Sequence, residues 1–343
     1  MTSVLIIGAG LSGCTTAYKL ACRGVLVTLV EKSPGIGGRV RAYGCKATDK
    51  CLNCGVCLSG GLWDKVSRHP GIRVITDAVV RDIAGVPGDF RATIAHAQGT
   101  RYLSGFDSIV VSTGFESQPD GLSSHLHIEG AQGLMTGAQI EELLLSRTRT
   151  KLFENAPGRV AFIQCTGSRD QKEGGLYCSR VCCGYSTRAA KVIKSYYPEC
   201  NITFFYMELQ NVENQDYFAG LQSQGMDFIK CRPLRVTGGA PVVVEYDDPK
   251  AGIARKEFDL VVLSEGIHAG ADNSRMAEVC GLNQDAHGFL RAAGEGSGVY
   301  VSGCARTPLK IDETCADSVA VAGSILAGKA AAANQPGSGG DRP

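Results

Sequence analysis

The stretch "SVLIIGAGLSGCTTAYKLACRGVLVTLVEK", residues 3–32, decides the fold. It predicts a strand over Val4–Ile7, a glycine turn, a helix that stops at Gly24 and a second strand over Val25–Val30. "GAGLSG" puts Gly8, Gly10 and Gly13 in G-x-G-x-x-G spacing. Gly8 permits the tight turn, Gly10 lets the backbone approach a pyrophosphate, and Gly13 lets helix and strand pack closely. The helix N-terminus offers unpaired N–H groups to phosphates. Glu31, at the end of the second strand, stands where an acid bonds the adenosine ribose hydroxyls, and Lys32 follows as a further binding candidate. A glycine-rich turn without a ligand is the plainer alternative. Strand, helix, second strand and acid together favour a dinucleotide.

Working outward, 343 residues are comfortable for two domains. An apolar fraction of 44% and a charged fraction of 20% are those of a soluble globular enzyme. A net charge of +1 without a basic block lacks the electrostatic footprint of a nucleic-acid binder. The most apolar region is broken by glycines and charge, so no transmembrane helix and no direct membrane insertion is expected. It begins at Val4, which leaves no room for the charged leader of a signal peptide. A cytoplasmic protein with reduced thiols is the expectation. Its fifteen cysteines then read as metal ligands or redox groups rather than a disulfide framework. Cys14, Cys22, Cys200, Cys231 and Cys280 read as small buried apolar residues.

Three further segments resemble FAD proteins of the glutathione reductase and thioredoxin reductase type. "GGR", Gly37-Gly38-Arg39, is similar to their second fingerprint. "FDSIVVSTGFES" ends a strand at Thr113-Gly114 and is similar to the segment that closes their FAD domain. "GVYVSGCARTP" resembles the last FAD-binding strand, with Gly303-Cys304 where Gly-Asp is usual, which removes one ribityl contact. The resemblance implies an α/β fold of two Rossmann-like dinucleotide-binding domains, as in thioredoxin-reductase-like flavoproteins. Residues 1–119 with 286–330 would form the FAD domain, 120–285 the second domain and 331–343 a flexible tail.

In the second domain "GRVAFIQC", 158–165, should be the first strand, "NITFFYMEL" the next and "FDLVVLSEGI" the last. A nicotinamide-binding turn should follow the first of these. "CTGSRDQKEGGLYCSRVCCG" stands there instead, so NAD(P)H is not expected to bind. Cys165, Cys178, Cys182 and Cys183 make the pattern C-x12-C-x3-C-C. If "SRVCCGYSTRAAKVIKSYY" is helical, Cys178 and Cys182 share one face of its first turn. Four thiolates from a loop and a helix start can enclose a [4Fe-4S] cubane, whose negative charge suits the helix dipole. Zinc, with its paired knuckles, fits adjacent ligands poorly. A strained vicinal disulfide and a redox dithiol also fit less well, and a purely structural group of buried cysteines remains the bland alternative.

The FAD segments plus "YCSRVCC" resemble the A subunit of heterodisulfide reductase over nearly the whole chain. That resemblance implies Cys165, Cys178, Cys182 and Cys183 as ligands of a [4Fe-4S] cluster beside FAD. It also implies a homodimer and further iron–sulfur subunits. Lacking the ferredoxin domains of the larger methanogen subunits, the chain is similar to the short form. Short forms occur in the heterodisulfide-reductase-like complex of sulfur oxidisers and the quinone-interacting oxidoreductase of sulfate reducers. "TPLKIDE" from Thr307 places Leu309 and Lys310 where the family usually has Lys and Asp.

A second thiol group lies in "CKATDKCLNCGVC", 45–57. Cys51, Cys54 and Cys57 have ferredoxin-like C-x2-C-x2-C spacing without the x3-C-P that should follow, and Cys45 is a candidate fourth ligand. The alternative is a set of thiols close to the flavin or a partner. The favoured reading is an electron-transfer flavoprotein subunit. Its rivals are a stand-alone NAD(P)H-dependent disulfide reductase using Cys51 and Cys54, and a cluster-bearing redox sensor.

Overall fold

The computed structural model describes residues 2–117, 126–148, 151–170, 175–210, 215–292, 294 and 296–333. Two parallel five-stranded sheets organise it. The first has the order Val299–Val301, Ser108–Val111, Ser3–Ile7, Leu26–Val30, Ile72–Ile75. The second has the order Leu134–Thr136, Leu260–Glu265, Arg159–Thr166, Asn201–Phe205, Met226–Ile229. The first sheet is accompanied by a three-stranded antiparallel meander, Ala78–Ala84 to Gly99–Phe106, and the second by a four-stranded sheet in which the antiparallel strands Arg235–Thr237, Val242–Asp248 and Gly252–Phe258 are extended by Ile128–Glu129, parallel to Arg235–Thr237.

The central strands are apolar in nearly every position because both faces are covered. In Ser3–Ile7, Leu5 and Ile7 face one core while Val4 and Ile6 face another. In Arg159–Thr166, Val160 and Phe162 face one core while Ala161 and Ile163 face another. The period of two is that of a strand, and each fully buried Val, Leu, Ile or Phe contributes about 1.5–3 kcal/mol. The first helix runs Leu11–Ala21 with Cys22 as its cap. It ends short of the expected Gly24, whose φ of +75° instead turns the chain into the second strand.

Met276, Cys280 and Leu282 lie in the core of the first unit, so that unit takes up the chain again before residue 285. The last helix, Ile311–Ala333, packs on Leu11–Ala21 and carries on through residues 331–333. The remainder of the expected tail, 334–343, lies outside the described residues.

Candidate cofactor site

The glycine turn is held by close contacts. Gly8 has φ +100°, and a Cβ on it would overlap the Ser112 carbonyl oxygen. A Cβ on Gly13 would overlap the Gly8 carbonyl oxygen. A Cβ on Gly10 would meet no protein atom within 4 Å, because Gly10 faces a cavity of about 860 Å³. Gly10 caps the helix without a side-chain bond, so no cap side chain claims the first N–H groups. The second glycine pair abuts the first motif. The Gly37 N–H donates to the Ala9 carbonyl at 2.7 Å, and a Cβ on Gly38 would lie 3.0 Å from the Gly10 Cα.

Glu31, Lys32, Gly38, Arg39, Thr113, Gly114 and Cys304 line the same cavity, whereas Gly303 does not. The Glu31 carboxylate accepts the Ala9 N–H at 2.7 Å and the Ser33 N–H at 2.8 Å, which fixes it at the cavity wall with acceptor capacity left over. Lys32 pairs with Asp272 at 2.7 Å on the surface. Arg39 donates to the Phe115 carbonyl at 3.0 Å and the Ser117 hydroxyl at 3.3 Å, with its guanidinium 5.1 Å from the Phe115 ring centroid. The Thr113 hydroxyl donates to Asn273 Oδ1 at 3.2 Å, and Gly114 turns the chain with φ +83°.

Gly303, at φ +70°, abuts Ser12, and its N–H donates to Asp317 Oδ2 at 2.7 Å. Cys304 beside it is buried with Ile267 and Phe289, and burial pushes its thiol up to about 11. The position that usually carries an acid is therefore part of an apolar wall. Ser112 Oγ, on the cavity wall, and Thr15 Oγ1, on the adjoining helix, are buried without hydrogen-bond partners among the described residues. A pocket of this size, a glycine cradle open to it and an orphaned hydroxyl on its wall fit a dinucleotide.

The thiol turn occupies the corresponding place in the second sheet. Cys165 lies near the end of the strand Arg159–Thr166 in the left-handed region, φ +60°, and Gly167 and Arg169 follow at +73° and +57°. A non-glycine residue there costs about 1–3 kcal/mol and persists only where its surroundings over-determine it. The loop returns because Asp170 and Gly175 exchange backbone bonds of 3.0 and 3.1 Å, and the Arg169 N–H donates to the Tyr177 carbonyl at 3.2 Å. The buried Ser168 and Ser179 hydroxyls meet at 2.6 Å and fasten its two limbs.

The thiol helix runs Cys182–Tyr196, so Cys178 stands in the loop ahead of it rather than on its first turn. Arg180, at φ +63°, reverses the chain between them. Cys165, Cys182 and Cys183 form one buried group. The Cys165 thiol is pulled down to about 7 by its hydrogen bond with Cys182, against burial, with Arg169 and Arg232 adding to the pull. Cys183 is lowered by the same partner, while Cys182, bonded to both, is raised. Cys178 is half-buried and raised by burial, with Cys165 and Cys183 contributing.

Among the described residues no three His, Cys, Asp or Glu side chains form a ready-made metal-holding group. Cys165, Cys182 and Cys183 pack against one another, with Cys178 outside their buried group. Around them Arg169 Nη1 and Arg232 Nε are buried without hydrogen-bond partners among the described residues. Four cysteines with two arginines acting on Cys165 are a donor set that fits an anionic thiolate cluster.

The 45–57 segment does not gather its thiols in one buried group. Cys45, Cys51 and Cys57 are exposed, and Cys54 is half-buried on the cavity wall. Cys51 Sγ interacts with Asn53, and Cys45 Sγ accepts the Ala47 N–H at 3.5 Å. The segment is tied to the second unit by features the sequence does not signal. Lys46 and Glu141 make a buried ion pair, and Arg188 of the thiol helix donates to the Leu52 carbonyl at 2.7 Å. Burial pushes the Glu141 carboxyl up, with Lys46 drawing it back. Tyr43, Tyr185 and Glu265 complete this side of the cavity, and burial raises all three. Only their separation in sequence hid them: no spacing rule links Lys46 to Glu141.

Residues 6–55 match the NAD(P)-binding Rossmann-like domain family. The fold is similar to thioredoxin reductase of T. acidophilum, with a TM-score of 0.65 and 18% identity over 96% of this chain and 100% of that one. It is also similar to the HOCl-induced flavoprotein disulfide reductase of Escherichia coli, with a TM-score of 0.62 and 17% identity over 94% and 71%. Fold and paired turns together define a two-unit, thioredoxin-reductase-like α/β fold.

Within it, the chain is 25% identical to the iron–sulfur A subunit of CoB–CoM heterodisulfide reductase from Methanocaldococcus jannaschii, over 94% of this chain and 64% of that protein. It is 25% identical to the A subunit of the H2:CoB–CoM heterodisulfide, ferredoxin reductase from Methanothermobacter thermautotrophicus, over 92% and 62%. The chain is thus similar to these heterodisulfide reductase A subunits and spans somewhat under two thirds of their length. Among the described residues no helix is long and apolar enough to cross a membrane.

Proposed function

We propose that the protein is an FAD- and [4Fe-4S]-containing electron-transfer subunit of a heterodisulfide-reductase-like complex in sulfur metabolism. One observation carries the reading: the same cavity is lined by Gly10 of the glycine turn and by Val181, Gly184 and Tyr185 at the start of the thiol helix. Bound there, FAD would supply two-electron chemistry and the cluster one-electron transfer. The chain's own residues bind, orient and exclude water.

Gly8, Gly10 and Gly13 would receive the pyrophosphate and Glu31 the ribose, while Gly38, Arg39, Thr113 and Gly114 would form the rest of the wall, with Gly303 turning the chain behind Cys304. Lys32 extends the ribose end, and Cys304 would press an apolar surface against the flavin. Cys165, Cys178, Cys182 and Cys183 would hold the cluster as thiolates. A homodimer that docks further iron–sulfur subunits is the proposed assembly, and fifteen cysteines suit a reducing cytoplasm.

A second reading rests on Cys54, whose position on the cavity wall would let Cys51 and Cys54 act as a dithiol in a nicotinamide-dependent disulfide reductase. Anaerobic mixing with NADH or NADPH separates the two. Under the favoured reading neither nucleotide bleaches the flavin band. Rapid stoichiometric bleaching would put the disulfide reductase first.

A further inference from the structure

Two arginines surround the thiol turn with polar atoms to spare. Arg169 lies in the turn itself, at φ +57°. Its backbone N–H donates to the Tyr177 carbonyl at 3.2 Å, which brings the loop back just ahead of Cys178. Its Nη2 pairs with Glu208 Oε2 at 3.2 Å, and the Glu208 carbonyl accepts the Cys183 thiol at 3.9 Å. Arg232 comes from the segment that follows the strand Met226–Ile229. Its Nη2 donates to the Ser168 carbonyl at 3.1 Å, and its Nη1 pairs with Asp170 at 3.0 Å. After these bonds Arg169 Nη1 and Arg232 Nε remain buried without a hydrogen-bond partner among the described residues. Both guanidinium charges act on the Cys165 sulfur. A buried N–H left unpaired is costly, so two of them around one group of sulfurs point to an acceptor held there.

We propose that Arg169 and Arg232 are the hydrogen-bond donors of the iron–sulfur cluster and raise its reduction potential. The inference rests on the reading that Cys165, Cys178, Cys182 and Cys183 hold a [4Fe-4S] cluster. Net charge and hydrogen bonds to sulfur set the potential of such a group. Reduction adds an electron at the site, so a guanidinium beside the sulfurs favours the reduced form. Each arginine also fastens the loop, Arg169 through Glu208 and Arg232 through Ser168 and Asp170. The two roles separate at Glu208. If Arg169 acted only through its ion pair, removing either partner would have the same effect. If it acts on the cluster, losing Arg169 lowers the potential, whereas losing the Glu208 carboxylate removes an anion and does not.

The test is the one-electron midpoint potential of the cluster in the full chain, by a redox titration followed by electron paramagnetic resonance, with iron measured in each preparation. Arg169→Met and Arg232→Met should each shift it negative by at least tenfold in the equilibrium, about 59 mV for one electron. Arg169→Lys and Arg232→Lys keep the charge without the planar fork, and should fall between the Met variant and the parent. Glu208→Gln should leave the potential at the parent value or move it positive. Where a Met variant loses its iron, the Lys variant carries the test with its smaller negative shift. An unmoved or positive potential at either arginine overturns the inference alone. So does loss of iron from a Lys variant, or a Glu208→Gln shift as negative as that of Arg169→Met. A parent protein that binds no iron overturns the reading beneath it as well.

Discussion

The turn after the strand Ser3–Ile7 and the turn after the strand Arg159–Thr166 occupy the same place in two sheets of the same central strand order, yet one is made of glycines and the other carries thiols. Both need left-handed backbone. The first meets that need with Gly8, where no side chain fits beneath Ser112, and leaves Gly10 open to the cavity. The second meets it with Cys165, Gly167 and Arg169, and carries its helix start on Cys182 and Cys183. An open glycine turn admits a phosphate because nothing fills the space over the backbone. The second turn is filled by its own sulfur atoms. Shared topology therefore sets where the two turns lie, and their residues set the chemistry each presents.

The largest test of that contrast is to exchange only the chemistry of the thiol turn. Cys182→Ser or Cys183→Ser should lose the iron, about four atoms per chain, while the flavin remains. Iron analysis beside visible spectra measures both at once. Gly10→Val is the reciprocal change. Its branched side chain enters the space left for the pyrophosphate, and flavin content should fall by about tenfold or more while the iron is retained.

A smaller effect falls on the joint between the units. Lys46→Met leaves the buried Glu141 carboxyl without its ammonium partner and should cost about 3–5 kcal/mol in denaturant unfolding. Lys46→Met with Glu141→Leu should recover most of it. The smallest effect is expected at the exposed segment. Cys51→Ser should leave iron near four atoms per chain, about that of a single cubane. Loss of half the iron would bring Cys45, Cys54 and Cys57 into a second ligand set.

Much of this was legible in the sequence because turn chemistry is local. The spacing of Gly8, Gly10 and Gly13, with an acid at Glu31, requires only neighbouring residues to make sense. The adjacent Cys182 and Cys183 likewise mark a buried thiol group, which Cys165 joins. The position of Cys178 was not legible: i, i+4 spacing suggests one helix face, and only the left-handed Arg180 puts it in a loop. The replacement at Cys304 could be seen, but not that Asp317 would hold Gly303 from the next helix. Lys46 meets Glu141 and Arg180 meets Glu313 across units, and no periodicity encodes such pairs.

In the proposed protein the second unit would hold a cluster where its first βα turn would otherwise hold a nicotinamide nucleotide. Anomalous diffraction at the iron edge, from crystals grown without oxygen, tests it most directly. The predicted result is a single iron peak enclosed by Cys165, Cys178, Cys182 and Cys183, beside a flavin nucleotide that spans Gly10 and Glu31. Iron at the 45–57 segment alone, or a nicotinamide nucleotide seated at the Cys165 turn, would contradict it.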